Sequence, residues 1–124
     1  MYYSNQKIIF ITNQQLFKCK YLSEVYCVCE YSGVVKDAII RFKFHNKAFY
    51  YRTFAKLVMQ KIVFFQSNIK DKIDLIIPVP LHKNRKKHRG YNQCQLISSY
   101  ISKKYKIPTK TCILVRTKDT MAQM

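Results

Sequence analysis

Residues 74–93 read DLIIPVPLHKNRKKHRGYNQ, and the fold turns on how this stretch is understood. Leu75, Ile76 and Ile77 favour extended backbone and run into Pro78-Val79-Pro80, residues that punctuate a strand. The nearly continuous apolar run predicts a strand over residues 73–79, buried on both faces as in a parallel sheet. A basic loop follows, with five Lys/Arg between Lys83 and Arg89, and it closes on Gly90. In α/β sheets, ligands bind where a loop leaves the carboxyl end of a strand. Five cations beside free backbone N–H groups suit an anion, most simply phosphate or pyrophosphate.

Within the loop, Arg85 and Arg89 are the residues able to clamp phosphate oxygens in a bidentate mode that lysine cannot copy. Lys86 and Lys87 add point charge, and Gly90 lets backbone approach an anion closely. The competing reading is a solvated basic turn. His82 and His88 flank the cations, with no carboxylate close in sequence to orient them, so both read as bystanders. Asn92 reads first as the N-cap of the following helix.

Outward from this stretch, residues 7–11 and 24–29 read as short strands. Val34, Val35, Ala38, Ile39 and Phe42 recur at helical spacing and predict a helix over 34–44. A second helix is expected over about 48–65, a polar loop over 66–72, a third helix over 92–104 with Leu96, Ile97, Tyr100 and Ile101 inward, and a strand over 112–115. Alternating helices and strands in the second half imply βαβ units and a parallel sheet.

The chain has 124 residues, one domain's worth, and 48% of them are hydrophobic. Its 23 Lys/Arg against 6 Asp/Glu give a formal charge of +17, which favours polyanionic partners. An AT-rich coding sequence is the competing explanation, since 18 of the cations are Lys and Ile, Asn and Tyr abound. It leaves the clustering unexplained: no acid lies between Asp74 and Asp119, while 11 Lys/Arg do. Arg41-Phe42-Lys43-Phe44 alternates cations with aromatics, a pattern suited to single-stranded nucleic acid through Lys43 and Arg41, and equally to the cationic end of an amphipathic helix. No run reaches the ~18 apolar residues of a membrane span, and the N-terminal apolar stretch is too short for a secretory signal. Five cysteines without a C-x-x-C pair suggest free thiols in a reducing, cytoplasmic compartment. Cys19, Cys27 and Cys29 fall short of the paired ligands structural zinc wants, so no zinc is expected. Cys94 and Cys112 read as buried small hydrophobes.

Three segments carry a family resemblance. The run Asp74–Gln93 resembles the central signature of the ComF family, phosphoribosyltransferase-like proteins associated with bacterial competence for DNA uptake. Tyr31–Lys47, YSGVVKDAIIRFKFHNK, resembles that family's helix with its trailing F-K-F motif, and Leu114–Gln123, LVRTKDTMAQ, its arginine–threonine–glutamine segment. The resemblance implies an α/β fold: a partial, type I phosphoribosyltransferase parallel sheet flanked by helices, with a small β N-terminal segment. It implies an incomplete transferase-like domain over 31–124, and over 1–30 a degenerate remnant of a zinc-ribbon region. It implies a pyrophosphate loop at Arg85, Lys86, Lys87, Arg89 and Gly90, and a flexible substrate-covering loop at Arg116, Thr120 and Gln123. The implied ligand is phosphoribosyl pyrophosphate or another phosphorylated compound, with Mg²⁺, and the implied partners are single-stranded DNA and competence proteins. The catalytic residue stays unassigned. The family's acidic D-D-x-x-T-T-G-like motif does not occur in these residues, so the chain reads as the front part of a transferase, inactive alone and prone to self-association.

Overall fold

The computed structural model describes residues 27–65 and 73–121. The chain divides into two compact units, residues 1–38 and 39–124.

In the first unit, Gly33 takes φ +51° and opens helix α1, Gly33–Phe44. Lys36 Nζ lies 5.9 Å from the centroid of the Tyr31 ring. The expected strand over 7–11 lies outside the described residues, as does residues 24–26 of the second expected strand; Cys27–Cys29 is not strand.

The second unit is helical. The last turns of α1 carry Arg41 and Lys43, cations placed where the helix dipole favours them. Asn46, at φ 54°, turns the chain away in the left-handed conformation that Asn tolerates. A short 3₁₀ turn, Ala48–Tyr50, leads into α2, Tyr51–Phe65. Ala55 and Met59 stand one turn apart on α2 and are buried against Ile101 of α4, Gln93–Tyr105. Val58, Ile76, Ile97, Tyr100 and Tyr105 close around them. Apolar residues at i, i+3 and i+4 on both helices create these facing stripes, and burying the stripes stabilises the pair. The helices expected over 34–44, 48–65 and 92–104 thus form close to their expected bounds.

Two expectations are corrected. Among the described residues there is no strand and no parallel sheet, and the α/β fold class is overturned. Residues 73–82 form no regular element and make one isolated parallel bridge, Ile76 to Thr109. Ile76 N–H donates to the Pro108 carbonyl at 2.9 Å, and its carbonyl accepts from Lys110 N at 3.2 Å. The ladder ends there for a physical reason. Donors two residues apart point to the same edge of an extended chain, and the next two on that edge belong to Pro78 and Pro80, which have no N–H. The segment is not buried on both faces either: Ile77 is 40% and Val79 63% exposed. Residues 112–115 are likewise not strand, and Cys112 is exposed rather than buried.

The second correction concerns the basic run. Lys83–Arg89 is a helix, α3, not a loop. It buries nothing and so shows no apolar period. It is held by its ends. His82 Nδ1 accepts from Asn84 N at 3.3 Å as N-cap, and four basic residues crowd the last turn, favourable against the C-terminal dipole. Gly90, at φ 86°, ends the helix with its N–H donating to the Lys86 carbonyl at 2.8 Å. No atom crowds a Cβ built there, so glycine is required by the backbone angle and not by the approach of a ligand.

Candidate anion-binding site

The site grows from α3 and its two caps. Arg85 and Arg89 are four residues apart and share one helix face. That face, with Asn84, His88 and Gly90, forms one wall of a hollow of about 750 Å³. Lys43, Phe44 and Asn46, from the end of α1 and the turn after it, form the opposite wall, and Asp119 closes one side. A second hollow of about 350 Å³ is lined by the same two arginines with Lys43, Arg116, Thr120 and Met121. Both lie in the size range of small-ligand pockets.

The wall from α1 is tied to α3 by the residue after Gly90. The Tyr91 hydroxyl donates to the Phe42 carbonyl, one of the orphan acceptors in the last turn of α1. The Phe42 ring lies between Phe54, at 5.5 Å, and Tyr91, at 5.9 Å, in stacked geometry. Burial raises the Tyr91 phenol above its ordinary pKa, with the charge of Arg89 working against that rise. Behind Tyr91, Asn92 is 8% exposed. Its Oδ1 accepts from Cys94 N at 2.9 Å and Gln95 N at 3.3 Å, and its Nδ2 donates to the Val79 carbonyl at 3.1 Å. One side chain therefore starts α4 and fixes the segment that delivers α3.

Arg89 is half-buried. It donates to Gln93 Oε1, and its guanidinium carbon lies 5.5 Å from the Phe44 ring centroid. Among the described residues none of its ion pairs is with a carboxylate. Burial lowers its pKa from the ordinary arginine value, and the charge of Arg85 adds to that, while Tyr91 opposes it. Arginine nonetheless stays protonated, so a partly desolvated positive charge faces the hollow.

Arg85 has a different set of contacts. It donates to the Thr120 carbonyl, and its Nε lies 3.6 Å from Asp119 Oδ1. Asn84 Nδ2 donates to Asp119 Oδ2 at 3.1 Å. His82 Nδ1 comes within 3.5 Å of the same oxygen. Arg116 donates to Thr120 Oγ1 at 2.6 Å.

The sequence-derived candidates therefore separate. Arg85, Arg89 and Gly90 come together; Gly90 serves as the helix terminator. Lys86 and Lys87 are exposed and line neither hollow. Arg116 and Thr120 reach the second hollow, and Gln123 lies outside the described residues. Lys43 lines both hollows, whereas Arg41 is exposed and lines neither. Asp119 and Asn84 are among the lining residues that site reading from the sequence missed, and Phe44 enters that reading only through the alternation of cations and aromatics. The one available signal was that Asp119 is the first acid after Asp74. Cys19 is outside the described residues, and Cys27 and Cys29 are half-buried. No three metal-ligating side chains come together among the described residues.

Known proteins supply an independent measure. Over 86 residues, 68% of its length, the chain is 38% identical to "Competence protein F" of Haemophilus influenzae. Over that span the chain belongs to the ComF family. The match covers 38% of the relative's own length, so the chain spans well under half of it. No family profile matches the chain, and no solved structure does. Among the described residues no helix is long and apolar enough to cross a membrane.

Proposed function

We propose that this ComF-family chain binds the phosphate groups of a pyrophosphate-type ligand, phosphoribosyl pyrophosphate among them, between α3 and the end of α1, in a role tied to competence and DNA uptake. The competence role is carried over from the relative's name. The carrying observation for the ligand is the pair Arg85 and Arg89, one turn apart on a single face, with Lys43 opposite and Asp119 as the one carboxylate among the described residues lining that hollow. Such a pair suits a doubly charged group with several oxygens. Lys86 and Lys87 add long-range attraction from the outer face. The proposal is one of binding and includes no turnover.

A second reading draws on Phe44. Phe44 is 46% exposed, beside Lys43 and with its ring against Arg89, the combination on which single-stranded nucleic acid stacks.

Calorimetric titration with inorganic pyrophosphate and phosphoribosyl pyrophosphate tests the first reading. Saturable one-to-one binding is expected. Replacing Arg85 and Arg89 together by Ala should weaken it far more than replacing Lys103 and Lys104, which are exposed on α4. Each charge-assisted contact is worth roughly 1.5–3 kcal/mol, about ten- to a hundredfold in affinity. Equal losses in the two double variants would mean that binding follows net charge, and the site assignment would fail. Binding of oligonucleotides only, with a steep salt dependence, would favour the second reading.

A further inference from the structure

We infer that Asp119 is an internal competitor for the α3 site: its carboxylate occupies the position of the ligand's phosphate oxygens, and residues 116–121 must release α3 before a pyrophosphate-type anion can bind. This inference rests on the anion-binding reading and adds its regulation.

Three observations carry it. First, the donors around Asp119 are of the kind an oxyanion would need. Arg85 Nε stands 3.6 Å from Oδ1, and Asn84 Nδ2 donates to Oδ2 at 3.1 Å. A carboxylate and a phosphate present similar oxygens to a guanidinium fork, so the two groups exclude one another. Second, the segment adds a further acceptor to the same side chain, because Arg85 also donates to the Thr120 carbonyl. Arg85 is thereby engaged from 119 and 120 together, while Arg89 is not. Third, the hold is weak and reversible. The Asp119 side chain is 44% exposed, and 116–121 is exposed throughout and adopts no helix or strand. Exposed ion pairs contribute little and yield to competing ions. The segment is thus placed to occupy the site without sealing it.

The test uses the full chain. Thr117→Trp places a single tryptophan on the segment, since the sequence has none, and Thr117 is exposed and lines neither hollow. Its fluorescence anisotropy reports whether the segment is held. Inorganic pyrophosphate is titrated by calorimetry into the parent chain and into Asp119→Asn, with thermal midpoints compared to confirm folding. Asp119→Asn should bind pyrophosphate about two- to fivefold more tightly, the loss of one exposed ion pair. In the Thr117→Trp background, pyrophosphate should lower the anisotropy, and Asp119→Asn should lower it without ligand. If pyrophosphate binds the parent chain but Asp119→Asn leaves affinity unchanged or weakens it, the competition is overturned while the anion site stands. Weakening would make the carboxylate part of the ligand's own environment. If pyrophosphate binds neither chain, both the competition and the anion site are overturned.

Discussion

Arg85 Nε lies 3.6 Å from Asp119 Oδ1, joining the middle of the most basic run to the acid that ends the long acid-free interval. The contact sets like charges on α3 against a half-exposed counter-charge. Around it, the fold offers several positions where one atom decides the outcome.

Asn92 connects two elements through one amide. Asn92→Ala should lower stability by about 2 kcal/mol, combining the loss of an N-cap with that of a buried donor to Val79. Asn92→Ser keeps the cap but not the reach to Val79, and should recover part of the loss. Urea denaturation midpoints check both. An Ala variant as stable as the parent would show that α4 starts without this cap.

Gly90 is required by its φ of 86° and not by space. Gly90→Ala should destabilise by about 1 kcal/mol. Gly90→Asn should cost less, since Asn tolerates the left-handed region. Thermal melts of the three chains give the order, and an Ala variant at or above the parent would contradict the capping role.

Tyr91→Phe removes the donor to the Phe42 carbonyl and should cost about 1 kcal/mol. The pH dependence has a definite sign. Burial raises the phenol's folded pKa, so its contribution is complete below the ordinary value of about 10 and is lost as pH rises through the raised one. Denaturation midpoints measured upward from pH 9 should fall more steeply for the parent than for Tyr91→Phe. Parallel curves would count against it.

Cys94 is half-buried, and burial pushes its thiol above the ordinary value, more than the Lys43 and Arg89 charges and the backbone at Val79 draw it down. The thiolate is the reactive form. Iodoacetamide at pH 8 should therefore modify exposed Cys112 well before Cys94 in the folded chain, with the difference vanishing in denaturant. Peptide mapping over time decides it; equal rates under native conditions would mean that Cys94 is open to solvent.

Local pattern sufficed for α1, α2 and α4 and for one cap. The stripes on α2 and α4 repeat within a few residues, and Asn92 sits directly before the helix it starts, so their physics is written in neighbouring positions. The fate of residues 73–79 was not legible. A continuous apolar run reads as a buried strand, but whether it pairs depends on a second segment, and here Pro78 and Pro80 remove the donors that would extend pairing beyond Ile76. The helix over Lys83–Arg89 was hidden because it buries no side chain and so leaves no period; His82 and Gly90 define it from outside. Arg85 and Arg89 were legible as candidate phosphate contacts from residue type alone. What only tertiary structure decided is that they face Lys43 and Phe44 across a hollow, that Lys86 and Lys87 do not, and that Asp119 reaches Arg85. Those are contacts between residues far apart in the chain, and such contacts depend on packing, which no local run of sequence encodes.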